Sequence, residues 1–313
     1  MNCEMKATYV GIDASKAELV CQTPDLLVSV ANEREAVFAR LREWKKRYPK
    51  LHLVIEPSGG QERLLLAAAA ALQIAATRVN ARQVRDFARG LGWLEKTDRI
   101  DAKLLRLYGE TAQPAPSGQP TAVQEKLREL VQLRDHYVAQ LQHEQTYAQT
   151  LQTAVASKLA SAHGAQLAAT VTAVEKQIEA LLDTEAPELH VPIQTMCLVK
   201  GVGVRGAITL LAYVPELGRL TDRAVSKLVG VAPIVDDSGT RCGNRHIMYG
   251  RAAPRRILYL CAAVAAQHNE FLKGFYQRLR QNGKPPKVAL IAVARKLLCH
   301  LNRLLKPLYL EPV

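Results

Sequence analysis

No run of about 18 apolar residues occurs anywhere in the 313-residue chain, so no membrane-spanning helix is expected. The N-terminus carries Glu4 and Lys6 and then enters its first apolar stretch, and no secretory leader pattern is read there. Cysteine is scarce. Cys3, Cys21, Cys197, Cys242, Cys261 and Cys299 are scattered, and no two sit at zinc-knuckle spacing. That argues against a disulfide scaffold or a zinc finger, and reduced thiols are expected. A disordered chain is excluded too, because 48% of the residues are hydrophobic. The length allows two or three domains with ample core.

Negative charge is also in short supply, and unevenly so. Net charge is +13: residues 1–110 carry +4, residues 111–186 carry −3, and residues 187–313 carry +12. So lopsided a distribution points to a polyanionic partner for the last segment, most simply nucleic acid.

The N-terminal third reads as alternating elements. Strands are expected at 7–13, 18–23, 27–31, 51–56 and 74–79, with helices at 34–48, from the Pro57-Ser58-Gly59-Gly60 turn to about Leu72, at 81–89 and at 98–110. Three strands followed by helix-strand alternation is the order of a ribonuclease-H-like α/β fold. The stretch Thr111 to Pro120 holds three prolines and no charge, and it predicts a linker. Leucines from Leu127 to Leu151, and a second run around Leu167 to Leu181, predict an antiparallel helical or coiled-coil arm. The division expected is 1–112, a linker at 113–120, an arm at 121–186, and a mostly helical domain at 187–313. Within the last, Leu198 to Ala207 holds Gly201, Gly203 and Gly206 and resembles a helix-hairpin-helix turn able to offer N–H groups to a phosphate. A plain turn between helices explains the same residues; the surrounding charge favours phosphate contact.

Four carboxylates and one serine carry the chemistry. Asp13 and Glu56 end two expected strands, where an unpaired buried charge is costly and a bound cation would relieve it. Asp98 and Asp101 follow Thr97 and would share the first turn of one helix. Capping alone would explain Asp98. Together the four are hard oxygen donors of the kind Mg²⁺ or Mn²⁺ takes, suited to phosphoryl transfer. Ser238, beside Gly239 and ahead of Arg241 and Arg245, could attack a phosphodiester while the arginines neutralise it. An isolated Ser-Gly is usually just a polar turn. Tyr249, Tyr259 and Tyr276 lie among arginines and suit packing or DNA stacking; His246 and His268 read as ordinary surface or core histidines.

Taken in order, Gly-Ile-Asp, Ile-Glu-Pro-Ser-Gly, Lys-Thr-Asp-Arg-Ile-Asp-Ala, Gly-Val-Gly and Asp-Ser-Gly-Thr-Arg-Cys-Gly-Asn-Arg-His-Ile resemble the DEDD transposases. These are bridge-RNA-guided recombinases of insertion sequences, with a RuvC-like N-terminal domain and a C-terminal transposase domain. Gly250 to Tyr259, and Phe275 onward into Gly283-Lys284-Pro285-Pro286-Lys287, extend the likeness over nearly the whole chain; Pro254 stands where many relatives have Leu or Val. The resemblance implies that Asp13, Glu56, Asp98 and Asp101 bind Mg²⁺ or Mn²⁺ and that Ser238 becomes a phosphoserine on DNA. It further implies donor and target DNA and a structured guide RNA as partners. It implies a dimer assembling into a tetramer, in which one subunit's acids meet another's serine, and a cytoplasmic, nucleoid-associated prokaryotic location. Nucleic-acid contacts are expected at Lys96, Lys200, Arg205, Arg241, Arg245, Arg251, Arg255 and Arg256. A hydrolytic RuvC-like nuclease using the same acids and an activated water is the alternative, and a nucleic-acid-binding protein with a dead centre is the third reading.

Overall fold

The computed structural model describes residues 7–57, 59–95, 97–116, 121–234 and 245–310. They fall into two units, Met1–Gln119 and Pro120–Val313.

The first unit is built on five strands: β1 (Thr8–Ala14), β2 (Glu18–Gln22), β3 (Leu27–Ala31), β4 (Leu51–Ile55) and β5 (Ala75–Arg78). Their order in the sheet is β3-β2-β1-β4-β5, with β1 central. Both β1/β2 and β2/β3 are antiparallel, joined by short turns. Parallel pairing of β1 with β4 and of β4 with β5 requires crossovers, supplied by α1 (Arg34–Arg47) and α2 (Arg63–Ala71). Successive side chains of a strand point to opposite faces, so each strand feeds two cores. Val10, Ile12, Leu53 and Ile55 pack with Val37, Leu41 and Trp44 of α1 and with Leu65 and Ala68 of α2. Tyr9 and Val54 pack on the other face with α3 (Ala81–Gly90) and α4 (Asp98–Ala112) through Val84, Ala88, Leu104 and Leu105. Every element expected here is present, within a few residues at its ends.

Two glycines seat α4 on β1. A β-carbon at Gly11 would lie 2.1 Å from the Ala102 carbonyl and 2.3 Å from the Arg106 nitrogen. One at Gly109 would lie 2.7 Å from the Tyr9 ring and 2.8 Å from Val54. Residues 102–106 thus cross Gly11 while residue 109 crosses Tyr9, so α4 runs opposite to β1. Its N-terminus therefore lies over the C-terminal end of that strand.

The second unit is mostly helical. Helices α5 (Ala122–Ala148) and α6 (Ala154–Thr184) form an antiparallel pair, tied by Lys126–Glu185, Arg134–Glu175 and His163–Glu144 contacts. A reciprocal capping box of Thr121 and Gln124 starts α5, and Thr153 caps α6. Leu151, expected in the leucine stripe, lies instead in the connection between them. The base of the pair, with Leu127, Val131, Val174 and Ile178, shares one core with α7 (His190–Cys197), α8 (Val204–Tyr213), α9 (Asp222–Val229), α10 (Ala252–His268), α11 (Glu270–Gln281) and α12 (Pro286–Leu310). Two short strands, β6 (Pro233–Ile234) and β7 (His246–Ile247), pair antiparallel between α9 and α10. The described cysteines, Cys21, Cys197, Cys261 and Cys299, are free thiols. Burial pushes the Cys21 thiol up to about 12 and Cys261 to about 11. No helix among the described residues is long and apolar enough to cross a membrane.

Candidate active site

Strand parity decides where the carboxylates go. On β1, Val10 and Ile12 face α1 and α2, so Tyr9, Gly11 and Asp13 face α4. On β4, Leu53 and Ile55 face α1 and α2, so Val54 and Glu56 face α3 and α4. The parallel register pairs Ile12 with Ile55, and its next step sets Asp13 beside Glu56. Both acids therefore leave the same end of the sheet on the same face. The α4 N-terminus lies over that end, and the partial positive charge of its dipole favours carboxylates there.

Thr97 is the N-cap of α4, and its hydroxyl accepts the Ile100 N–H at 3.2 Å. Asp98 and Asp101 occupy the first turn, as expected. Their surroundings differ: Asp98 is exposed, whereas Asp101 is buried at 7% exposure. Asp101 and Glu56 line one cavity of about 260 Å³ together with Arg82, Arg85 and Leu104. Arg85 donates from Nη2 to Asp101 Oδ1 at 3.4 Å and from Nη1 to the Glu95 carbonyl at 3.4 Å. The sequence reading missed this α3 pair, Arg82 and Arg85. Their i, i+3 spacing just after a strand that borders Glu56's strand was the available signal. Among the described residues no three His, Cys, Asp or Glu side chains are grouped to hold a metal ion.

The oxygen donors at this corner suit a hard cation. Mg²⁺ is characteristically held by one or two carboxylates, with water and substrate phosphate completing its shell. Glu56 and Asp101 meet that requirement in one cavity, with Asp13 at the adjoining strand end. The arginines add phosphate-binding donors.

In the second unit, Ser238 and Arg241 lie outside the described residues, as does Lys96 in the first. What holds the serine segment's two ends is clear. It joins β6 to β7, whose register pairs Pro233 with Ile247 and Ile234 with His246. Below that ribbon the backbones of Gly230 (φ +78°) and Gly250 (φ +72°) cross; a β-carbon on Gly250 would meet the Gly230 nitrogen at 2.3 Å. Arg251 fixes the base. Its guanidinium donates to both Glu216 oxygens at 2.7 and 2.8 Å and to the Tyr213 carbonyl at 2.7 Å. Arg255 donates to the Tyr249 carbonyl. These two guanidiniums are engaged within the fold. Arg205 pairs with Glu175 at 2.9 Å, while Lys200, Arg245 and Arg256 are exposed. In the glycine-rich turn, Gly201 (φ +109°) lies against Ala265 and Gly206 against Cys261, so both serve close packing on α10. Gly203 meets nothing and is the N-cap of α8.

Comparison with known proteins agrees across both units. Residues 10–156 match a family model of DEDD transposases of the IS110 type, and residues 194–277 match the transposase family of IS116, IS110 and IS902. The pilin gene-inverting proteins of Moraxella lacunata and Moraxella bovis are each 28% identical over 308 residues, covering 94% of this chain and 94% of theirs. An uncharacterized 43.6 kDa protein of insertion element IS110 from Streptomyces coelicolor is 31% identical over 126 residues, 40% of this chain and 30% of its own.

Proposed function

The chain belongs to the IS110-type transposases, and from that premise we propose that it breaks and rejoins DNA through Ser238 and a divalent cation held by Asp13, Glu56, Asp98 and Asp101. The observation that supports this most is the corner where Glu56 and Asp101 share a cavity beside the end of β1. The sheet order, with three antiparallel strands and then parallel crossovers, favours a RuvC-like, ribonuclease-H-like reading of residues 1–112. Residues 121–186 are read as a coiled-coil arm. Residues 187–313 are read as the serine-bearing domain, with a helix-hairpin-helix turn offering the open N-terminus of α8 to a phosphate.

When bound, Mg²⁺ or Mn²⁺ neutralises charge on the scissile phosphate and steadies the departing oxygen. The protein groups do the rest. Asp13, Glu56 and Asp101 orient the phosphate, and Arg82 and Arg85 bind its oxygens. The Ser238 hydroxyl gives its proton to water as Oγ bonds to phosphorus, the P–O3′ bond breaks and the 3′ oxygen takes up a proton, and the 5′ phosphate stays esterified to the serine. The reverse attack by another 3′ hydroxyl rejoins strands without an external energy source. Inversion, which the Moraxella relatives are named for, is this chemistry run on two sites of one molecule. A structured guide RNA selects donor and target DNA in this reading. Copies of the chain work as dimers pairing into tetramers, in the cytoplasm with the nucleoid.

The test is Ser238→Ala on a nicked DNA substrate. Covalent protein–DNA adducts should vanish while DNA binding persists. Adducts that survive would show that a side chain other than Ser238 is the nucleophile, and wild-type cleavage leaving a free 5′ phosphate would show that water is.

A further inference from the structure

Phenylalanine is rare in this chain, four residues in 313, and two of them stand one helical turn apart on α11. Phe275 is partly buried against the core. Phe271 is 65% exposed. The Lys296 ammonium of α12 sits 4.2 Å from the centroid of each ring. That contact lies over one face of the Phe271 ring and leaves the residue mostly exposed. Arg278, seven residues after Phe271, continues the same face of α11 and is exposed.

The charge along this strip is mostly positive, with Glu270 at the head of α11 the exposed acid beside Phe271. From residue 271 to residue 310 there are nine Lys or Arg and no Asp or Glu. Lys273, Arg278, Lys287 and Lys296 form no ion pair among the described residues. The turn between α11 and α12 is open as well: residues 281–288 are all exposed and include Lys284 and Lys287. A hydrophobic ring that contacts a lysine and stays mostly exposed, inside a mostly basic strip, is poorly suited to water. It suits a strand whose bases are unstacked and whose phosphates need cations.

We propose that the α11–α12 face is a binding platform for an unpaired nucleic acid strand, with one base stacked on Phe271 and adjacent phosphates on Lys296 and Arg278. A duplex keeps its bases stacked inward and gains nothing from the ring, whereas its phosphates gain as much from the cations. The platform rests on the reading that the partner is nucleic acid. It does not depend on Ser238 or the acidic corner, so Ser238→Ala should leave this binding intact and the two ideas fail separately.

Fluorescence anisotropy of the full-length chain, at fixed salt, tests it with labelled single-stranded DNA, single-stranded RNA and duplex DNA of one sequence. Phe271→Ala should weaken single-strand binding about tenfold and leave the duplex unaffected. Phe271→Trp should retain single-strand affinity and show indole quenching on binding. Lys296→Gln should weaken single strand and duplex alike. A preference of wild type for RNA would identify the strand as RNA, and a preference for DNA would identify a displaced DNA strand; either supports the platform. Equal loss on duplex and single strand for Phe271→Ala, or no loss on either, overturns it. So does a Phe271→Trp protein that binds without quenching, which keeps the test alive if the alanine variant folds poorly.

Discussion

Arg85 is the residue whose removal says most about the acidic corner. Its guanidinium lies 3.4 Å from a carboxylate that is buried, while its own side chain keeps 27% exposure. Water therefore screens the pair and reduces its contribution. Arg85→Gln should lower the melting temperature modestly, by about 1 kcal/mol of stability, because Asp101 loses a partner. If Asp101 and Glu56 hold a divalent ion, Mn²⁺ should restore more stability to the variant than it adds to wild type, since the ion replaces the lost cation. Equal Mn²⁺ shifts in both proteins would detach Arg85 from the metal site. A second residue on the same face reports on pH. His52, buried on β4, bonds Thr77 at 2.7 Å, and burial pushes its pKa below the ordinary 6.5. The unfolded chain therefore takes up a proton at higher pH than the folded one. The stability that neutral His52 contributes is complete above about pH 6.5 and is lost as pH falls from there towards the folded pKa. His52→Gln retains a hydrogen-bonding group and cannot titrate. Melting scans between pH 8 and 5 should show wild type losing stability relative to that variant as pH drops; parallel curves would remove His52 from the account.

At the scale of elements, the seat of α4 on β1 decides whether the acids meet. Gly11→Ala would put a methyl 2.1 Å from the Ala102 carbonyl, and backbone cannot yield as a flexible side chain can. The expected cost is about 3 kcal/mol. The helix that carries Asp98 and Asp101 should also be displaced, so metal-induced stabilisation, read by melting with and without Mn²⁺, should fall too. A Gly11→Ala protein as stable and as metal-responsive as wild type would mean that α4 does not sit there. This case also shows what was legible in the sequence. Period-two and period-3.6 patterns placed the N-terminal strands and helices, and a glycine in a strand signalled a close neighbour. Which neighbour was not readable, because the partner lies ninety residues away and one glycine looks like another. Shorter separations hid pairs as well: Arg85 lies 16 positions from Asp101, and Arg251, an apparent surface base, reaches back 35 positions to Glu216. Strands β6 and β7 have two residues each, too few to show a period. Leu151 kept the leucine spacing but lost its helix, because Thr153 caps a new one two residues later.

Across the whole molecule, acids and serine belong to different units, 137 positions apart from Asp101 to Ser238. The central functional question is whether they meet within one chain or between copies. A mixing experiment separates these. Asp101→Asn keeps Ser238 and disables the acidic corner; Ser238→Ala keeps the corner and disables the nucleophile. If each composite site takes acids from one copy and serine from another, an equimolar mixture contains some sites with both groups intact. It should then regain part of the wild-type adduct yield, roughly a quarter where copies assort at random into such pairs. If acids and serine act within one chain, every chain in the mixture is defective and the yield stays at zero. The covalent adduct is the readout because it reports serine attack itself and not the strand exchange that follows. Recovery should also depend on protein concentration, since the sites exist only in assemblies. Recovery without that dependence would point to preformed oligomers exchanging subunits slowly, and pre-incubating the two variants before adding DNA would then raise the yield.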